Sequence, residues 1–260
     1  MFSSQTTYIG IDPTAGKRPL TYTAIDSSLR LLALGEGNLN DILAFLAGQR
    51  QAVVAVCAPQ KPNQGLMDQE DVRAQLNPPP RPGRWNDFRL AEYQMRRLKI
   101  SCPQTPRHEE DAPTWMQVGF QLYRRMEGLG YRAFSALPPA DPVAPEPADL
   151  RFIEVYPQAT FSTWLKKPPL PKNTLEGRLQ RQLILYAEKL RIADPMDFFE
   201  EITRHRLLQG VLPLENLHTS SELDTLVAAY TAWLTANHPD RVTFLGHPQE
   251  GQIVIPAYSL

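Results

Sequence analysis

The stretch Thr7-Tyr8-Ile9-Gly10-Ile11-Asp12-Pro13 reads as a short β-strand: aromatic and β-branched residues run up to a proline that cannot continue a ladder. Two similar runs follow, 20–25 (LTYTAI) and 29–34 (LRLLAL). Asp26-Ser27-Ser28 supplies turn chemistry between them, and the short link predicts a hairpin; Gly35-Glu36-Gly37 supplies it again afterwards. Asn38 or Asn40 is placed to cap a helix through Ala47, which Gly48 ends. The next run, 52–56 (AVVAV), is apolar throughout, the pattern of a strand buried on both faces in parallel pairing. The order β-β-β-α-β therefore predicts an α/β sheet of mixed direction, with three meandering strands, a crossover helix and a parallel strand.

Downstream, helical periodicity covers 87–98 and 114–129. Residues 151–156 (RFIEVY) read as a further strand closed by Pro157. Helices are expected at 175–190 and 196–208, and from a cap at Ser220 or Ser221 through about Ala236. Residues 241–245 and 252–255 pair as a hairpin around a 246–251 turn. The chain holds 25 prolines, roughly twice average usage, clustered at 77–83, 137–149 and 166–172, where they read as stiff connectors. The expected architecture is one domain over 1–260: a five-stranded mixed sheet flanked by helices, with a helical insertion at about 66–130, a proline-rich connector at about 137–149 and a C-terminal hairpin.

Composition narrows the function. With 27 basic and 28 acidic residues in 260, the formal charge is −1, which excludes a generic basic coat for nucleic acid and leaves room for a local patch. No apolar run reaches the ~18 residues of a membrane span. The first residues lack the basic and apolar regions of a secretory leader. Cys57 and Cys102 share no metal spacing and form no disulfide framework, so a reduced, cytoplasmic setting is expected. The five histidines share no zinc spacing. The phosphate-loop-like 10–17 (GIDPTAGK) fails that motif: its glycines are one residue too far apart and Arg18 stands where Ser or Thr is needed.

Three acids fall in apolar surroundings: Asp12 at the end of the first strand, Glu154 inside FIEVYP, and Asp224 on a helix among Leu223, Leu226 and Val227. A buried unpaired carboxylate costs several kcal/mol, so each needs a partner. For each acid alone, a cap, turn or arginine pair is as good an account as a functional one. If the three converge, their repulsion raises their pKa values until a hard cation neutralises them. Oxygen ligands favour Mg²⁺ or Mn²⁺, and such a site can activate water against a phosphodiester.

The order of elements is shared by the ribonuclease H-like and the sugar-kinase/actin superfamilies. Several motifs, in sequence order, resemble the domain of unknown function 429 family, described as predicted ribonuclease H-like nucleases. They include Tyr8-Ile9-Gly10-Ile11-Asp12, Val54-Ala55-Val56-Cys57-Ala58-Pro59, Arg89 with Glu92, Trp115-Met116 with Gly119, and Ile153-Glu154-Val155-Tyr156-Pro157. Lys172 through Gly177 to Arg181, Leu223-Asp224-Thr225-Leu226 and the tail 245–256 complete the series, which covers nearly the whole chain. The resemblance implies a ribonuclease H-like fold and a divalent-metal nuclease, with Asp12, Glu154 and Asp224 as catalytic metal ligands. It also implies Arg89, Lys172 and Arg178 as substrate-binding residues. One departure stands out: where the family typically has an Asp after the fourth strand, this chain has Cys57, and a thiol is a poor Mg²⁺ ligand.

Further basic residues (Arg84, Arg96, Arg124 and Lys166 among them) could grip a phosphate chain, and Trp85, Tyr93 and Trp164 could stack bases; a solvated helix face and core anchors are the alternative. Three functions compete: a metal-dependent nuclease acting on DNA or RNA, a catalytically silent nucleic-acid-binding module, and an ATP-dependent phosphotransferase of the sugar-kinase/actin type. The last needs glycine-rich phosphate turns in two halves, for which Thr14-Ala15-Gly16 is the one candidate.

Overall fold

The computed structural model describes residues 6–14, 18–80, 83–134, 150–201, 206, 208–211 and 214–257. Strands β1 (Thr7–Asp12), β2 (Leu20–Ile25) and β3 (Leu31–Gly37) form an antiparallel meander. Helix α1 (Leu39–Ala47) crosses over to β4 (Ala52–Val56), which lies parallel to β1, as the sequence predicts. Asn38 caps α1 through the amides of Asn40 and Asp41, and Asp41 reaches back to the Asn38 amide. Strand β3 starts later than expected. Leu29 takes a left-handed φ of 60°, and the Asp26 carboxylate accepts the amides of Ser28 and Arg30, so the turn runs through Leu29. Gly35-Glu36-Gly37 consequently belongs to the strand.

Helices α2 (Glu70–Ala74), α3 (Leu90–Arg97) and α4 (Thr114–Gly128) occupy the stretch expected as a helical insertion, with residues 84–87 forming a 3₁₀ turn where α3 was expected to begin. After β5 (Arg132–Ala133), β6 (Leu150–Val155) pairs parallel to β4. Pro157 does more than close that strand. It occupies the first turn of α5 (Pro157–Leu165), where its missing N–H has no intrahelical use. Helices α6 (Leu175–Ala187), α7 (Asp197–Glu201) and α8 (Ser220–Asn237) follow, then β7 (Val242–His247) and β8 (Gly251–Pro256). Thr219, one residue before the expected serines, caps α8 with Glu222 completing the box. The connector 137–149 and residues 15–17 lie outside the described residues.

The sheet has eight strands in the order β3-β2-β1-β4-β6-β8-β7, with β5 also on β6. The expected count of five is corrected, because β6 would otherwise expose an unpaired edge. Its first half pairs with β5 and its end with β8, which draws the C-terminal hairpin into the same sheet.

Alternation along the strands sorts the core into two layers. Tyr8, Val53, Ala55, Cys57, Ile153 and Val155 face α5, α6 and α8. Ile9, Ile11, Val54, Val56 and Phe152 face α1 and α4. Gly10 decides how closely α8 approaches: a Cβ there would sit 2.0 Å from the Thr225 carbonyl oxygen and 2.6 Å from the Ala229 nitrogen.

Candidate functional site

Asp12 ends β1 on the α8 side, and Asp224 lies one residue before the Thr225 carbonyl that touches Gly10. The close packing of α8 on β1 thus delivers the two carboxylates to one place. Burial, and then the charge of Asp224, push the Asp12 carboxyl up to about 7, against the opposing effect of Lys172. Burial also raises Asp224, and Lys172 again opposes it. The Lys172 ammonium donates to Asp224 Oδ2 at 2.7 Å; burial disfavours that charge, but Asp224, with Asp12 and Cys57 adding to it, opposes burial and the lysine's pKa rises.

The loop carrying Lys172 is fixed by helix α6. Arg181 donates to the Leu170 and Gly177 carbonyls at 2.8 and 3.0 Å, and Thr174 caps the helix by accepting the Gly177 amide. Gly177 permits this closure: a Cβ there would lie 1.9 Å from the Pro171 oxygen.

Cys57 sits beside the carboxylates. Its amide donates to the Ile11 carbonyl at 2.8 Å, and its thiol points to the Asp224 carbonyl at 3.8 Å. Burial, with Asp12 and Asp224 adding to it, raises its pKa well above the ordinary thiol range, so it is a protonated thiol and not a thiolate ligand.

Glu154 does not join this group. In register, Ile11 pairs with Val56 and Val56 with Glu154, so Glu154 leaves the sheet on the face opposite Asp12 and Cys57. There both carboxylate oxygens are committed to Arg89, at 2.5 Å (Oε1–Nη2) and 3.0 Å (Oε2–Nη1), and Oε2 also accepts the Gln60 amide at 2.8 Å. Arg89 is 1% exposed and Glu154 3%. Arg89 Nε donates to Glu92, which in turn accepts from the Thr105 amide and hydroxyl. Glu250 accepts the amides of Gln64, Leu66 and Leu90 nearby. This buried network fastens α3 and its flanking loops to the sheet.

The other expected substrate contacts divide in the same way. Arg178 donates to the His218 and Leu217 carbonyls, both at 2.7 Å, and so pins the approach to α8 and does not face the site. Lys172 is half-exposed at the site itself. Trp85 packs on Tyr93 and Phe88, and Trp164 on Phe161 and Tyr230, as core anchors.

A cleft of about 370 Å³ opens over Asp12, Asp224 and Lys172, with Trp115 and Tyr156 also lining it. A smaller adjoining cavity, about 30 Å³, runs from Cys57 to Arg89 and Glu154. In the sequence, Trp115 and Tyr156 stand out only as parts of family motifs; nothing in their local spacing marks them as cleft walls.

The nuclease reading implies a divalent cation at this site. Two converging carboxylates, one with its pKa raised by burial and then by the other's charge, suit a hard cation that keeps its remaining shell in water and substrate oxygens. Among the described residues no group of three His, Cys, Asp or Glu side chains is placed to hold a metal. Asp12 and Asp224 are thus the two residues that could hold such an ion, and Glu154 is not a third. Among the described residues no helix is long and apolar enough to cross a membrane.

No curated protein and no solved structure matches the chain. The family model described as protein of unknown function (DUF429) matches residues 10–250, the span that includes Asp12, Lys172 and Asp224, and the chain belongs to that family.

Proposed function

We propose that the chain is a divalent-metal-dependent nuclease of ribonuclease H-like type that hydrolyses phosphodiester bonds in nucleic acid, with Asp12 and Asp224 holding one Mg²⁺ or Mn²⁺. The observation that carries this reading is the convergence of Asp12 and Asp224 in an open cleft, with Asp12 raised to about 7. Two further features support it. The path β3-β2-β1-β4-β6, antiparallel for the first three strands and parallel thereafter, supports a fold of that type, with β5, β8 and β7 added to it. The cleft also opens at the carboxyl ends of the parallel strands β1 and β4, where ligands of open α/β sheets bind.

What the ion supplies when bound is Lewis acidity towards a phosphoryl oxygen and towards water. The chain's own residues do the rest. Asp12 and Asp224 provide the negative charge that holds a cation. Lys172, half-exposed on its clamped loop, offers its ammonium to a phosphate oxygen once Asp224 is otherwise neutralised. The test is cleavage of labelled DNA and RNA with Mn²⁺, with Mg²⁺ and with EDTA, beside thermal melts in the same buffers. Cleavage should require metal and vanish in Asp12→Asn and Asp224→Asn. Metal-independent cutting, or full activity in Asp12→Ala, discards the reading.

Cys57 and the Lys172–Asp224 ion pair favour a second reading, a catalytically silent nucleic-acid-binding module. Cys57→Asp separates the two. If that variant binds Mn²⁺ in calorimetry and the natural chain does not, the silent reading gains; if the natural chain cuts nucleic acid, it falls.

A further inference from the structure

Four tryptophans are described, and three of them are paired with other rings. Trp85 lies against Tyr93 and Phe88, Trp164 against Phe161 and Tyr230, and Trp233 against Tyr230 and His238. Trp115 has no ring partner among the described residues, and its indole N–H makes no hydrogen bond to them. It is half-buried in the first turn of α4 and lines both cavities. Tyr156 is half-buried on the same cleft and likewise has neither a ring partner nor a hydroxyl hydrogen bond among the described residues. Both side chains are half-buried, packed against core clusters on one side and lining the cleft on the other, so they offer it aromatic surface that a ligand can cover.

Four of the arginines that could grip a phosphate chain are engaged elsewhere. Arg89 pairs with Glu154, Arg178 with backbone carbonyls, Arg124 with Glu109, and Arg96 lies over the Phe88 ring. A net charge of −1 gives the chain as a whole no general attraction for a phosphate backbone, single- or double-stranded. Stacking does not need that charge, but it does need an exposed base face, which a continuous duplex hides.

Resting on the phosphodiester reading, we propose that the cleft takes one unpaired nucleobase against Trp115 and Tyr156, beside the phosphate that meets Asp12, Asp224 and Lys172. The substrate is then single-stranded or locally opened nucleic acid, not intact duplex. The cleft volume, about 370 Å³, is within the range of sites that enclose a small planar ligand.

The test is fluorescence anisotropy of the full chain with labelled oligo-dT, oligo-rU and a duplex, with Ca²⁺ in place of Mg²⁺ or Mn²⁺ so that the carboxylates keep a cation for the phosphate while turnover is suppressed. Single strands should bind at least ~10-fold more tightly than duplex. Trp115→Ala should weaken single-strand binding by ~5- to 150-fold, the range that base–aromatic stacking spans, and Trp115→Phe should retain most of the affinity. Tryptophan fluorescence should be quenched by oligomer in the natural chain and much less so in Trp115→Phe, a readout that survives if the alanine variant misfolds. Unchanged affinity in Trp115→Ala, duplex bound as tightly as single strands, or no binding of any oligomer overturns the proposal. The dT and rU arms identify the sugar. Cleavage with Mn²⁺ is scored separately. Trp115-dependent binding without cutting keeps this proposal and removes the hydrolytic reading, whereas cutting that ignores Trp115 does the reverse.

Discussion

Lys172 Nζ lies 2.7 Å from Asp224 Oδ2, and its loop is clamped to α6 rather than to the sheet that carries Asp12. The site therefore contains its own positive charge, delivered by a separate element. Lys172→Met should leave Asp224 buried without its counter-charge. Breaking a fully buried pair costs about 3–5 kcal/mol, but this amine is half-exposed, so about 1–2 kcal/mol at pH 8 is expected in urea unfolding. Mn²⁺ should recover that loss and bind the variant more tightly than the natural chain, because the competing ammonium is gone. Loss of stability with no Mn²⁺ response would mean that the two carboxylates do not take a cation.

Asp12 sets the pH dependence. Its carboxyl titrates near 3.8 unfolded and at about 7 in the fold, so between those values the native state holds a proton that the unfolded chain has lost. Stability must then fall as pH rises. The penalty is absent below about pH 4 and complete above about pH 7, where it approaches ~4 kcal/mol at 1.36 kcal/mol per pH unit. Asp12→Asn removes the titration. Its melting temperature should exceed that of the natural chain at pH 8 by a clear margin, and the difference should shrink at pH 5. Parallel melting curves across that interval would show Asp12 to be an ordinary exposed carboxylate.

The buried network should be the least tolerant part of the molecule. Glu154→Gln leaves the Arg89 guanidinium short of one counter-charge at 1% exposure, for an expected loss of about 3–5 kcal/mol. Arg89→Met should cost more, because it strands both Glu154 and Glu92. The double variant Arg89→Met with Glu154→Leu should be milder than Arg89→Met alone. Chemical denaturation of the natural chain, Arg89→Met, Glu154→Leu and that double variant gives the coupling directly.

The strands around Asp12 are legible because their apolar runs are short and bounded by Pro13, Asp26-Ser27-Ser28 and Gly48. Asp12 and Asp224 are legible as acids in apolar surroundings. What residue type could not reveal is which side of the sheet Glu154 leaves. That depends on register: Glu154 lies level with Val56 and Ile11, whereas Asp12 and Cys57 come one residue later on their own strands and point the other way. The partner of Glu154 was equally hidden, since Arg89 stands 65 positions away in a segment with no periodicity linking it to β6. Arg178 enters through the family resemblance alone, and no local pattern announces that two loop carbonyls before α8 claim its guanidinium.

Gly10 joins packing to chemistry and gives the most direct test of how the site is built. The α8 backbone approaches β1 so closely there that Gly10→Ala would place its methyl 2.0 Å from the Thr225 oxygen, so the helix must retreat. Overpacking of this kind costs about 1–3 kcal/mol or more. Because Asp224 immediately precedes Thr225, the same retreat carries its carboxylate away from Asp12 and admits water between them. Both causes that raise Asp12 then weaken together, and its titration should move back towards the ordinary carboxylate range. Gly10→Ala should therefore melt lower than the natural chain at pH 5 and lose less further stability between pH 5 and pH 8. A variant that melts lower but keeps the full pH slope would show that the Asp12–Asp224 pairing does not depend on this contact.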